Sequence, residues 1–311
     1  MKRHYKSIII SLVTLFFLFN FLMNSEILLN TFFNTTKLWF YNLFPTIFIF
    51  FIITDILNNY HFPYYISRMI GGIVSRIYHV PKESAYIIIM SLVSGFPGNS
   101  KLIKEQLDNK IINEYDATKL LTMTHFSNPL FIIYTVGINF LHDEKVGTII
   151  LISHFITNFI IGFFFRNIYK VDNKVYPKEI KPSLPFMTLL KTSITNTFKT
   201  LTNVFGIVIF FALITATINH YLNLNPFSNT LLNGLLEITN GLSHLATLSL
   251  SKIKVATIAT FFISFGGFSI HMQIMSILNK YHVNYYIYLI ARILHATISS
   301  LITFFILIYC Y

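Results

Sequence analysis

The sequence predicts an all-α, polytopic membrane protein with an inverted-topology repeat and two broken or re-entrant helices. Three observations carry that expectation. Apolar residues make up 54% of the 311-residue chain against 11% charged, at a mean hydropathy of +0.62, far from the balance of a soluble domain. Apolar runs that can span occur at Ser7–Met23, Leu38–Leu57, Val146–Phe165 and Asn203–Ile218, and Tyr285–Ile306 is broken by one Arg and one His. About 20 residues rising 1.5 Å each cross a hydrocarbon core of roughly 30 Å. Two polar, glycine-containing breaks interrupt apolar stretches, at Ser94-Gly95-Phe96-Pro97-Gly98-Asn99-Ser100-Lys101 and at Ser264-Phe265-Gly266-Gly267-Phe268-Ser269-Ile270-His271. Interrupted backbone is tolerated at membrane depth only where protein or a wet cavity surrounds it. Paired interruptions in two halves of one chain point to a transporter's binding site.

The elements follow in order. Lys2, Arg3 and Lys6 precede the first apolar run, as in a signal peptide, but no small-residue cleavage site follows Met23, so Ser7–Met23 reads as an uncleaved span. Lys and Arg favour the cytoplasmic side. With the N-terminus inside, Ser7–Met23 runs outward and Leu38–Leu57 inward, leaving Arg68, Arg76 and Lys82 inside. Val146–Phe165 ends inside, ahead of Arg166, Lys170, Lys174, Lys178 and Lys181. Ser84–Leu141 therefore holds a broken hairpin and one net crossing. The linker Arg166–Pro185, with Pro177, Pro182 and Pro185, divides the chain. The expected units are 1–37 (first span and loop), 38–165 (first repeat), 166–202 (basic cytoplasmic linker and amphipathic stretch) and 203–311 (second repeat). Leu43–Phe51 is echoed by Val204–Ala212. Each is followed by an amphipathic stretch (Tyr65–Val80; Leu231–Leu248) and then a break. The matched spans point in opposite directions, which makes the repeat inverted and places a site near the midplane.

The formal charge of +11 lies in short segments beside spans, a topology signal with attraction to anionic lipid and not a nucleic-acid surface. The single Cys310 excludes a disulfide framework and a Cys-based metal site. No zinc-protease, nucleophile-elbow or phosphate-loop pattern is present, so neither an enzyme nor a cofactor is expected.

In the first break, Gly95 and Gly98 permit unusual backbone, and Pro97 removes a donor. A half-helix starting near Asn99 would offer its N-terminus to an anion, with Ser94, Asn99 and Ser100 as donors and Lys101 as counter-charge. Alternatively, the break is a packed proline kink with Lys101 reaching to the interface. In the second, Gly266 and Gly267 precede Ser269, His271 and Gln273; extended backbone would put Ser269 and His271 on one side of a cavity. Ser127 or Asn128 would cap a helix opened by Pro129 and point its N-terminus at a ligand, or else form an ordinary interfacial cap. Glu237, with Thr239 and Asn240, is a candidate proton or cation site, because a carboxylate at membrane depth costs roughly 2–4 kcal/mol unless paired or protonated. Arg292 and His295 share one face of the last span, and Arg292 serves either the solute or Glu237.

These residues resemble the YlbJ family of sporulation integral membrane proteins, whose "nucleoside recognition" or Gate repeats are shared more distantly with concentrative nucleoside transporters and ferrous-iron transport proteins. Five motifs carry the resemblance in order: Ser94–Lys101, His125–Phe131, Gly234–Gly241, Phe265–Gln273 and Ala291–Ala296. Asn99 and Ser100 depart from the family's usual Gly-Ala before the lysine. The resemblance implies a permease of a spore former in the mother cell's plasma membrane, that is, the outer forespore membrane. The implied solute is dipicolinate, a planar dianion that suits Lys101 and Arg292. A nucleoside or divalent-metal transporter stays open, as does a non-transporting spore-envelope scaffold, and so does a homo-oligomer.

Overall fold

The computed structural model describes residues 2–169 and 184–310; Lys170, Lys174, Pro177, Lys178, Lys181 and Pro182 of the expected linker lie outside them. Among the described residues all regular structure is helical, and five stretches are long and apolar enough to cross a membrane: Ser25–Asn59, Glu144–Phe165, Phe186–Leu222, Lys252–Ile277 and Tyr285–Tyr309. The protein is an all-α integral membrane protein.

One part is a scaffold of long helices. Helices α1 (Lys2–Met23), α2 (Ser25–Leu38) and α3 (Phe44–Asn59) follow one another, with a π-helical turn, Trp39–Leu43, before α3. They pack along α9 (Phe186–Leu222), whose 37 residues extend about 55 Å. Asn20 bonds Thr217, Phe32 and Trp39 meet Phe205, Phe44 meets Phe198, and Asn59 bonds the Leu184 N–H. Residues 20–59 therefore run antiparallel to α9 throughout. This corrects the expected reversal between Ser7–Met23 and Leu38–Leu57. Turning a helix back takes a loop of a few residues, and only Asn24 separates α1 from α2, its N–H still bonded to the Asn20 carbonyl at 2.9 Å. Asn20 and Asn59 thus lie at opposite ends of α9, Asn59 at the end where the linker residue Leu184 enters it, called the linker face below. A second correction concerns the boundary at 202/203, which falls inside α9. Leu189, Ser193, Thr197 and Leu201 continue into Val204 and Val208 as one buried stripe at helical spacing.

The other part is a core built twice to one plan. Helices α5 (Ser84–Ser94) and α6 (Gly98–Asp108) form a hairpin, closed at its base by Gln106 Nε2 donating to the Glu83 carbonyl at 3.1 Å. Eleven residues per arm reach about 16 Å, half of a bilayer core. Next comes a broken span: α7 (Glu114–Met123), irregular Thr124–Asn128, and a π-helical run, Phe131–Phe140. It lies antiparallel to α8 (Glu144–Phe165), with Met123 against Gly162, Ser127 against His154 and Gly137 against Gly147. In the second copy the hairpin is α10 (Pro226–Leu236) and α11 (Ile238–Ala246), turning at Glu237. The broken span is α12 (Lys252–Phe265) and α13 (Gly267–Ile277), interrupted at Gly266 and antiparallel to α14 (Tyr285–Cys310) through Thr260–Thr303 and Ser264–Ser299 hydrogen bonds. The sequence marks several of these starts: Asn113 and Asp116 form a capping box for α7, and Asp143, Asn225 and Ser251 cap α8, α10 and α12.

The copies are inverted. Asn158 and His154 of α8 meet Arg292 and His295 of α14 in antiparallel order. Lys119, at the start of the first broken span, bonds the His79 and Tyr169 carbonyls on the linker face. Lys252, at the start of the second, pairs with Asp143 at 2.6 Å on the far face. Four interruptions are present among the described residues where two were expected, and the matching differs. Gly95–Pro97 corresponds to Glu237, both hairpin tips, and Thr124–Asn128 corresponds to Gly266, both breaks in spans. Leu231–Leu248 is hairpin, not the counterpart of α4 (Phe62–Tyr78), which packs beside α5 on the linker face. On that face Tyr281 also donates to Asp108, and this hydrogen bond pushes the phenol up to about 12.

Candidate functional site

All four interruptions converge at mid-depth. Phe96 N–H, in the first hairpin tip, donates to the Phe126 carbonyl at 2.8 Å, and Phe126 sits in the irregular stretch that faces His154, midway along α8. Gly95 is required there: its φ is +68°, and a Cβ would lie 2.5 Å from the Asn128 nitrogen. Gly266, at φ +87°, packs against the His125 ring so that a Cβ would lie 2.6 Å from Nε2. His125 in turn stacks on Phe96 at 4.7 Å between centroids. The second tip reaches the same place, since the backbone of Leu236 and Ile238 surrounds Gly267.

Backbone groups freed by the breaks are re-satisfied by side chains. His154 Nε2 accepts the Ser127 N–H at 3.0 Å, Asn128 Oδ1 accepts the Leu130 N–H at 2.8 Å, and Glu237 accepts the Asn240 N–H at 2.8 Å. His271 Nε2 bonds the Phe265 carbonyl at 3.0 Å. Arg292, fully buried, donates to the Thr122 carbonyl at the C-terminal end of α7, to Asn158, and lies 2.8 Å from His295 Nδ1. A cation suits the negative end of a half-helix. Arg292 therefore braces the first broken span and is not paired with Glu237.

Two cavities adjoin at the convergence. The first, about 40 Å³, is lined by the tips (Phe96, Pro97; Glu237, Thr239), the broken spans (Ser127, Asn128; Ile270, Gln273) and scaffold residues including Val204. The second, about 320 Å³, is lined by Lys101 and Lys104 of α6, Asn196, Lys199, Thr200 and Asn203 of α9, and Gln273, Ser276 and Ile277 of α13. It extends toward the linker face. Gln273 and Val204 line both.

The expected site residues thus divide. Pro97, Ser127, Asn128, Glu237, Thr239 and Gln273 line the small cavity, and Lys101 lines the large one, where it pairs with Asp55 of α3 at 2.5 Å. Ser94 and Ser100 are turned back on their own backbone, to the Met90 and Pro97 carbonyls. Asn99 Nδ2 lies 3.4 Å from Thr124 Oγ1, and Asn240 Nδ2 bonds Thr35 of α2. Gly98 packs against Ser94 within its hairpin. Ser269, His271, Arg292 and His295 are buried and line neither cavity. Sequence reasoning missed Lys104, Lys199 and Asn203, which read as ordinary amphipathic positions, and the braces His154 and Asn158. Those two stand four residues apart on one face of an apolar span, a signal available in the sequence.

No family model and no solved structure matches the chain. Among curated proteins, the sporulation integral membrane protein YlbJ of Bacillus subtilis (strain 168) is 23% identical over 304 aligned residues, covering 85% of this chain and 74% of the relative.

Proposed function

We propose that the chain, which is similar over 85% of its length to a sporulation integral membrane protein, is a permease for a small anionic solute, not an enzyme. The dipicolinate class is the solute that this reading favours, moved across the outer forespore membrane during sporulation. One observation carries the reading: a cavity of about 320 Å³ with Lys101, Lys104 and Lys199 on its wall adjoins the point where inverted hairpins meet. That volume lies at the lower end for small-molecule sites. Lys101 and Lys104 pair with Asp55 and Asp108; Lys199 has no ion-pair partner among the described residues. A planar dicarboxylate would take over these ammonium groups, while Asn196, Asn203 and Gln273 supply neutral donors.

Hairpins entering from opposite faces give such a carrier its alternating access. Each is too short to span, so each closes one face only, and their tips form the partition between faces. The test is uptake into proteoliposomes of dipicolinate, nucleosides and divalent metals in parallel. Dipicolinate accumulates above protein-free liposomes if the reading holds. Uptake of a nucleoside or a metal with no dipicolinate signal overturns it.

A further inference from the structure

We propose that the small cavity between the tips binds a monovalent cation, a sodium ion or a proton, that neutralises Glu237 and so links cation binding to tip closure; this rests on the permease reading. Glu237 is 1% exposed and has no basic side chain at ion-pair distance among the described residues. Its carboxylate accepts the Asn240 N–H at 2.8 Å and is approached by the Thr239 N–H and hydroxyl, neutral donors that leave the negative charge in place. The wall contributed by α3, α9, both tips and both broken spans carries no other titratable group. One hydroxyl on that wall, Ser127 Oγ, is buried at 1% exposure without a hydrogen-bond partner among the described residues, and Thr239 Oγ1, equally buried, has Glu237 alone within reach.

A carboxylate without a counter-charge, the unused Ser127 hydroxyl, the Thr239 hydroxyl beside the carboxylate and the Gln273 amide on the same wall form a set of hard oxygen ligands, the chemistry of a sodium ion or a hydronium and not of a soft metal. About 40 Å³ holds a desolvated ion or about three waters, given that one water needs roughly 10–15 Å³. It excludes the solute, which belongs in the larger cavity next door. The ligands come from both copies: Ser127 from the first broken span, Glu237 and Thr239 from the second hairpin. A bound cation would therefore tie the second tip to the first repeat. Without it, a bare carboxylate faces apolar Ile47, Phe131 and Val208.

The experiment uses purified full-length protein without solute, so its outcome is independent of what is carried. Thermal unfolding and fluorescence of the single Trp39, which packs beside Phe44 and Phe205 in the scaffold wall, are followed for wild type and Glu237→Gln. Sodium chloride is compared with choline chloride at fixed pH, then pH is varied in choline. With sodium as occupant, wild type is stabilised by sodium over choline; with a proton, it gains stability as pH falls and sodium has no effect. Glu237→Gln loses that response and resembles the neutralised wild type. A wild type indifferent to both, or a Glu237→Gln variant that keeps the wild-type response, overturns the proposal. Should Glu237→Gln fail to fold, Glu237→Asp shifts the midpoint by about tenfold or more, as expected when one charge-assisted contact is misplaced; an unchanged midpoint overturns the proposal equally.

Discussion

The scaffold and the core solve the same solvent problem in opposite ways. Scaffold helices α2, α3 and α9 satisfy their backbone internally and pack through Trp39, Phe44, Phe48, Phe198 and Phe205, with a small buried cluster of Ile47, Phe51, Leu201, Val204 and Val208. The core breaks its helices at four points and then repairs the damage with His154, Asn128, Glu237, His271 and Arg292. Apolar packing in lipid tolerates shape-conserving change, whereas a side chain that completes a backbone hydrogen bond has no substitute. Polar residues buried in this protein are therefore mostly backbone partners, and only those turned toward a cavity are free for a ligand.

Substitutions can break or sharpen that contrast. The largest effect is expected from Arg292→Ala, which strands the Thr122 carbonyl and Asn158. Each buried group left unpaired costs about 1–3 kcal/mol, so the yield of monodisperse protein in detergent collapses, and Arg292→Lys restores it incompletely because the fork is lost. A variant that stays folded and loses only solute uptake would move Arg292 from brace to ligand. Gly95→Ala comes next: strain at positive φ adds roughly 1–3 kcal/mol, and the methyl must push the Asn128 backbone away. Melting temperature and uptake should fall together.

Lys101→Ala acts differently. Its pair with Asp55 is partly exposed, at 22% and 17%, and such pairs contribute about 0–1 kcal/mol to stability. Unfolding should hardly change while anion uptake falls about tenfold or more through loss of a charge-assisted contact. Normal uptake by Lys101→Ala and Lys199→Ala together would remove the basic cavity from the solute's path. The smallest effect is expected for Trp39→Phe. The indole N–H has no hydrogen-bond partner among the described residues, so the cost of the smaller ring is that of the space it leaves, about 1 kcal/mol, and uptake stays intact. A large loss there would make the scaffold more than a wall.

How much of this was legible varies with range. Local chemistry read well: the half-helix expected near Asn99 begins at Gly98, and Pro129 opens the helix that Asn128 caps. Pairing between copies did not. Gly95 and Gly266 both look like glycine breaks in apolar runs, yet one turns a hairpin and the other interrupts a crossing. The difference is set by whether the following arm returns, as Gln106 does to Glu83, or continues, as His271 does beside Tyr288. The second tip carries no glycine at the turn itself. Extended backbone at Glu237, φ −138°, makes it, so a search for glycines passes over it. Arg292 and Lys101 had the right chemistry for an anion, but a sequence cannot say that α7 and Asp55 already hold them.

Helix α9 bears on the membrane itself. The hydrocarbon core covers about 20 residues of an untilted helix, and α9 has 37, so it must lean steeply or stand out into water. Its Lys191, Thr192, Thr195, Asn196 and Lys199 lie toward the linker end, which favours protrusion there. Because Asn196, Lys199 and Thr200 also form one wall of the basic cavity, how far that wall rises above the lipid depends on bilayer thickness. In a thicker bilayer Lys199 would lie closer to the headgroups. The lipid thickness that leaves this wall in water is readable as uptake across proteoliposomes of graded acyl length.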